Sequence, residues 1–250
     1  MKQGIWTDEV IERFFAYADH AGHGQYSQYF SDVSGDKVLK YVRPHLRGGV
    51  KEVLDYGCGM GYLDKHLLEQ GYHVTAMDFT RASVIEVNKK FKNADNFRGC
   101  YYFPEFDEMC VKNRKKFDTV FIFEVIEHLS DYYLENLVNN LKKYCKRGGY
   151  VVITTPNEQD LMQDMVYCPF CDTEFNRIQH VKTWSRRTLK EFLGKNMFEV
   201  IFMETVTVGD LFSGIDVKIK NMARTAWKKL KYHKLSEVPP NLICVARYNP

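Results

Sequence analysis

Apolar residues recur along this chain in two periods, and the way the periods alternate predicts its architecture. Residues 7–19 place Val10, Ile11, Phe14, Phe15 and Ala18 at helical spacing behind the possible cap Thr7. His20 to Tyr29 is polar, glycine-broken and rich in tyrosine, and reads as a loop. Short apolar runs follow at Val53, Tyr72–Met77, Phe97–Phe103, Phe117–Phe123 and Tyr150–Thr155. Between them lie helical stretches at Leu63–Gln70, Thr80–Phe91 and Asp131–Tyr144. The run Phe117-Asp118-Thr119-Val120-Phe121-Ile122-Phe123 suits a central parallel strand covered on both faces. A helix from the cap Ser185 through Leu193 and two further strands, Phe198–Met203 and Asn241–Tyr248, complete the chain. Strands alternating with helices in this way predict one α/β domain over residues 1–250.

Chemistry enters at two places. Val53-Leu54-Asp55-Tyr56-Gly57-Cys58-Gly59-Met60-Gly61 reads as a strand and a tight turn that comes within contact of a ligand, where a Cβ would collide. Tyr62 stands where a dinucleotide fold wants its third glycine, which argues against NAD. Asp78 ends the next strand, where it can accept hydrogen bonds from the two ribose hydroxyls of an adenosine or cap a helix. The second place is Glu124-Val125-Ile126-Glu127-His128-Leu129, at the carboxyl end of the central strand. A helical turn there projects Glu124, Glu127 and His128 to one side. Two carboxylates and an imidazole so placed call for a cation, most economically a divalent metal. Alternatively they are solvated turn residues, or His128 alone is a general base.

Asp55, Gly57, Gly59 and Gly61 resemble the first motif of the class I S-adenosylmethionine (SAM) methyltransferases. With Asp78, the Glu124 strand and the strand before Thr155-Pro156-Asn157, the resemblance covers roughly residues 50–205. It implies a Rossmann-like, seven-stranded, mostly parallel sheet with helices on both faces and an antiparallel C-terminal edge strand. It also implies SAM held by Asp55, Gly57, Gly59, Gly61 and Asp78 with Glu124 beside it, and an adenine pocket near Phe103-Pro104-Glu105-Phe106. A finer resemblance rests on Glu124, Glu127 and His128, on Thr155-Pro156-Asn157, and on His180 four residues before Trp184. These are similar to the metal-dependent 2′-O-methyltransferases of small-RNA 3′ ends and, more loosely, to the ubiquinone-pathway O-methyltransferases. The resemblance implies a divalent ion on Glu124, Glu127, His128 and His180, with Glu127 and His128 as the catalytic pair acting on a vicinal diol. Two imidazoles among the ligands suit Mn²⁺, Fe²⁺ or Co²⁺ better than Mg²⁺.

Net charge is +3 with a pI near 8.3, which excludes the whole-chain field of a dedicated nucleic-acid binder. No run approaches the ~18 apolar residues of a membrane span, and Asp8, Glu9 and Glu12 spoil a signal-peptide reading. Seven cysteines without framework spacing suit a reducing cytoplasm. Within the insertion 157–184, Cys168-Pro169-Phe170-Cys171 offers half a zinc site, which would have to recruit His23, Cys110 or a second chain; the simpler reading is a pair of reduced thiols. This knuckle resembles methyltransferases found among bacterial surface-glycan genes, implying a small sugar-like or phosphate-bearing acceptor. A second insertion, 209–240, sets Lys218, Lys220, Arg224, Lys228, Lys229, Lys231 and Lys234 around apolar residues, as a solvated helix face or a phosphate contact. Residues 1–45 read as a cap region over the cofactor. The competing readings are RNA 2′-O-methylation and a SAM-binding regulatory subunit without catalysis.

Overall fold

A computed structural model describes residues 2–20, 29–113, 116–208, 211 and 240–250. All of the predicted basic insertion 209–240 except residues 211 and 240, and most of the tyrosine-rich loop, including His23, lie outside the described residues. A short strand β1 (Lys2–Gln3) precedes helices α1 (Asp8–His20) and α2 (Phe30–Val42). The doubly wound part then runs β2 (Glu52–Tyr56), α3 (Tyr62–Glu69), β3 (His73–Asp78), α4 (Arg81–Phe91), β4 (Phe97–Tyr102), α5 (Phe103–Asn113), β5 (Phe117–Phe123), α6 (Asp131–Tyr144) and β6 (Cys145–Pro156). A hairpin of β7 (Met165–Cys168) and β8 (Thr173–Asn176), helix α7 (Arg186–Lys195), β9 (Phe198–Val206) and β10 (Asn241–Tyr248) follow.

The main sheet has seven strands in the order β4-β3-β2-β5-β6-β10-β9. The pairs from β4 through β6 are parallel, while β10 runs antiparallel to both β6 and β9. The expected antiparallel C-terminal strand is therefore present, one place in from the edge, with β9 outermost. Successive side chains feed opposite cores: Leu54, Val120 and Ile122 pack on one face, Val53, Phe121 and Phe123 on the other. Strand order reverses between β2 and β5, so the loops after these two strands open side by side at the carboxyl edge.

Two helices were not foreseen. In α2, Gly35 weakens the helical signal, and its role is spatial: a Cβ there would lie 3.1 Å from His66 on α3, so the glycine lets the two helices approach. In α5, Pro104 falls in the first helical turn, where proline is tolerated. The insertion 157–184 also holds more order than a loop. Here β8 pairs with β7 antiparallel and with β1 parallel, making a separate three-stranded sheet that ties the N-terminus to the insertion.

The Ser185 cap is closed in both directions, Ser185 Oγ accepting from Thr188 N (3.2 Å) and Thr188 Oγ1 accepting from Ser185 N (2.9 Å). Replacing Ser185 by Ala should cost about 1 kcal/mol, read as a lower urea midpoint at unchanged slope.

Candidate functional site

Each glycine of the turn after β2 faces a different neighbour. Gly57 sits at φ 81°, and a Cβ on it would stand 2.7 Å from Val125 Cγ2, in the loop after β5. Gly61 starts α3 against Phe91 and Val87 of α4. Gly59, at φ 50°, has open space where its Cβ would be, which is what a backbone that must touch a ligand requires. Asp78 steers this loop: one carboxylate oxygen accepts from Gly59 N (2.8 Å), the other from Thr80 N (2.8 Å) and Thr80 Oγ1 (3.0 Å). The residue at the helix cap position is Thr80, and Asp78 lines the cavity.

A cavity of about 790 Å³ opens over the switch point. Gly57, Gly59, Asp78, Glu124, Glu127, His128 and His180 line it. Asp55 and Gly61, expected beside them, are absent from that lining; Asp55 is buried beneath the turn against the fully buried Asp64. Burial lifts the Asp55 carboxyl well above its usual range, helped by the charge of Asp64, and burial pushes Asp64 up to about 7. Of the expected adenine-pocket residues, Phe103 lines the cavity, while Phe106 is buried in the core and Glu105 pairs outside with Arg81 (3.0 Å).

The second centre is built by strapping three segments together. Glu124 leaves β5 in the left-handed region at φ 55° and a 3-10 turn, Ile126–His128, follows. Val181 N and Lys182 N donate to Glu127 O (2.9 and 3.1 Å), and Trp184 Nε1 donates to Ile126 O (3.2 Å). These bonds carry His180 to His128, ring centroids 4.6 Å apart. Ligand-capable atoms of Glu127, His128 and His180 lie within 4.8 Å of one another. Glu124 falls outside that trio, its carboxylate instead accepting from Asn241 Nδ2 (3.5 Å); burial raises its pKa to about 7.

Glu127 is only 1% exposed, and one carboxylate oxygen accepts from Thr155 Oγ1 (2.9 Å) while the other has no partner. Burial and then the charge of Glu124 push its pKa well above the carboxylate range. Burial lowers His128 to about 4 and His180 to about 3, so both imidazoles are neutral. Their tautomers are set by two glutamines that sequence reasoning missed, since no motif marks a glutamine at either position. Gln179 donates through Nε2 to His128 O (3.2 Å), which turns its Oε1 to accept from His128 Nδ1 (2.9 Å). Gln159 donates through Nε2 to Asp164 (3.2 Å), which turns its Oε1 to accept from His180 Nδ1 (2.5 Å). Each ring therefore keeps an Nε2 lone pair free to bind a cation. Neutral imidazoles, a carboxylate oxygen without a partner and fixed tautomers together fit a divalent transition metal.

Helix α1 roofs the cavity, with Phe15 edge-on to His128 at 5.3 Å between centroids. Tyr132 and Tyr133 of α6 stand opposite, and Asp8, Glu9 and Glu12 sit at the rim. Among the described residues the lining contains no Lys or Arg.

The family model described as "Methyltransferase domain" matches residues 10–201. Curated relatives include the ubiquinone biosynthesis O-methyltransferases of Rickettsia akari (31% identical over 122 residues, 49% of this chain and 46% of that one) and Coxiella burnetii (30% over 119 residues, 48% and 49%). The chain thus spans about half the length of the curated relatives it matches. Among solved structures, the 1,6-didemethyltoxoflavin-N1-methyltransferase of Burkholderia thailandensis aligns over all of this chain and 94% of its own with a TM-score of 0.67 at 15% identity. A SAM-dependent methyltransferase from Archaeoglobus fulgidus aligns over 85% and 92% with a TM-score of 0.56 at 20% identity. At such identities these two show the shared fold.

The acid pair beneath the turn makes stability depend on pH. Because its folded-state pKa values are raised, its contribution is complete below about 3.8 and is lost as pH rises toward about 7. The Asp64→Asn variant escapes the Asp64 share of that loss and keeps the part that burial imposes on Asp55. Its stability relative to wild type should rise between pH 4 and 7 with a slope of up to about 1.4 kcal/mol per pH unit, measured by denaturant melts across that range.

Proposed function

The chain belongs to the methyltransferase-domain family, and from that premise we propose that it transfers the methyl group of SAM to one hydroxyl of a small vicinal diol held at Glu127, His128 and His180. The observation that carries this reading is the buried Glu127 oxygen without a partner, standing beside two neutral imidazoles with fixed tautomers. SAM, when bound, supplies the methyl group as a sulfonium. The chemistry a divalent ion supplies at these three side chains is to lower the pKa of a coordinated hydroxyl and to fix its orientation.

The remaining work falls to the chain itself. Asp78 accepts from the ribose hydroxyls while holding Gly59 in place, and the Gly59 backbone lies against the cofactor. Glu127, His128 and His180 hold the acceptor end, and Glu124 sets the negative field next to them. Phe15 and Tyr133 supply flat apolar walls that suit the face of a sugar-like or phenolic ring. The described lining holds no Lys or Arg to contact a phosphate, which weighs against a phosphorylated glycan precursor and against RNA. Relatives named for O-methylation in ubiquinone biosynthesis support oxygen as the accepting atom.

Isothermal titration with Mn²⁺ should show one site in the wild type. It should weaken at least about tenfold in Glu127→Ala and His180→Ala, and by about tenfold in Gln159→Leu. Equal binding in all four proteins would overturn the site.

A further inference from the structure

A lysine of α4 holds the cofactor turn from outside the cavity. Lys90 Nζ donates to Met60 O (3.1 Å) and to Gly61 O (3.5 Å), and it stands 4.8 Å from the centroid of the Tyr62 ring. The three N–H groups of the ammonium are thus matched by two carbonyls and an aromatic face. Met60 and Tyr62 line the cavity, and Lys90 does not. The neighbouring Lys89 shows the ordinary alternative, pairing with Glu86 one turn back on its own helix (3.8 Å). Lys90 instead reaches a separate segment, 30 and 29 positions earlier in the chain.

The position is a demanding one for a charge. The last turn of α4 favours a cation, but the end of α3 that this one reaches, at its N-cap Gly61, is itself partly positive. Burial lowers the Lys90 pKa, against the opposing pull of Asp64. What the ammonium gains there is control of one peptide plane. In a trans peptide the C=O and the N–H point in opposite directions, and here both ends are tied: Met60 O accepts from Lys90 while Gly61 N donates to Cys58 O (3.0 Å). This plane follows Gly59, whose open side faces the ligand space, and precedes Tyr62. The Tyr62 ring in turn stacks on Tyr29, with 5.0 Å between centroids and 29° between planes. Tyr29 is the residue that opens α2, and it too lines the cavity.

We propose that Lys90 is a positioning residue for the SAM donor, fixing the Met60–Gly61 peptide and the Tyr62 ring so that the turn meets the cofactor already in its bound shape. Binding then does not have to order the turn, which raises affinity for the cofactor without a new contact to it. The Tyr62–Tyr29 stack extends the same order to the start of α2. This role rests on SAM as the donor and is independent of any ion at Glu127, His128 and His180.

Titration calorimetry of the full chain with S-adenosylhomocysteine tests the role in wild type, Lys90→Met, Lys90→Arg, Tyr62→Leu and Tyr62→Phe. Affinity should fall about tenfold in Lys90→Met and severalfold in Tyr62→Leu, and stay within about threefold of wild type in Lys90→Arg and Tyr62→Phe, which keep the charge and the ring. Amide hydrogen exchange on the ligand-free proteins adds a readout that a merely structural lysine would not move. In Lys90→Met the Gly61 amide should exchange severalfold faster, while the β5 amides Val120 to Ile122 keep their protection. Unchanged affinity in Lys90→Met overturns the proposal, and so does an unchanged Gly61 exchange rate or a loss of protection shared equally by β5. A wild type that binds S-adenosylhomocysteine but no Mn²⁺ sinks the metal trio and leaves this test standing; one that binds no S-adenosylhomocysteine overturns the role of Lys90 together with the donor.

Discussion

The close approach of Gly57 to Val125 is the contact on which the site depends. Two loops, one leaving β2 and one leaving β5, must share the crevice where strand order reverses. A Cβ on Gly57 would stand 2.7 Å from the Val125 side chain, so only a glycine lets the loops meet without moving one of them. Their meeting is what puts the cofactor turn and the Glu127 centre on one cavity. The hydrogen bonds from Gly57 N and Cys58 N to Met77 O (2.9 and 3.0 Å) hold the first loop to β3. The Val181 and Lys182 amides hold the second to the chain that brings His180.

Burial gives the second loop its chemistry. Removing a carboxylate from water costs on the order of several kcal/mol unless a cation or hydrogen bonds replace the water. Glu127 has one such bond, from Thr155, and Glu124 nearby makes its ionisation harder still. In the protein alone the pair is relieved by protonation; a divalent ion would relieve it by coordination. Neutral His128 and His180 add no repulsion toward a cation, and Gln179 and Gln159 spare them the entropy of choosing a tautomer. The arrangement is costly without a cation and ordered for one.

How much of this could be read in the sequence depended on whether a feature was local. Strand β5, helix α6 and strand β10 match their predicted bounds, because each is decided by its own periodicity. Glu127, His128 and His180 were foreseen through motif resemblance, and they do converge. Glu124 does not join their trio, because a left-handed residue and a 3-10 turn replaced the helical turn that spacing assumed. Helix α2 was invisible because its glycine serves a contact with α3 rather than its own helix. The β1–β8 pairing joins residues some 170 positions apart, and no local pattern encodes it.

Charge is segregated in a way the bulk value hides. The chain is net +3, yet the described cavity wall holds Asp8, Glu9, Glu12, Asp78, Glu124 and Glu127 against no lysine or arginine. A pocket focuses the field of its own wall more than that of distant surface lysines, which solvent screens beyond roughly 8–10 Å. Even with Glu124 and Glu127 relieved by protonation, Asp8, Glu9, Glu12 and Asp78 leave the described wall acidic, a local balance that the bulk value hides.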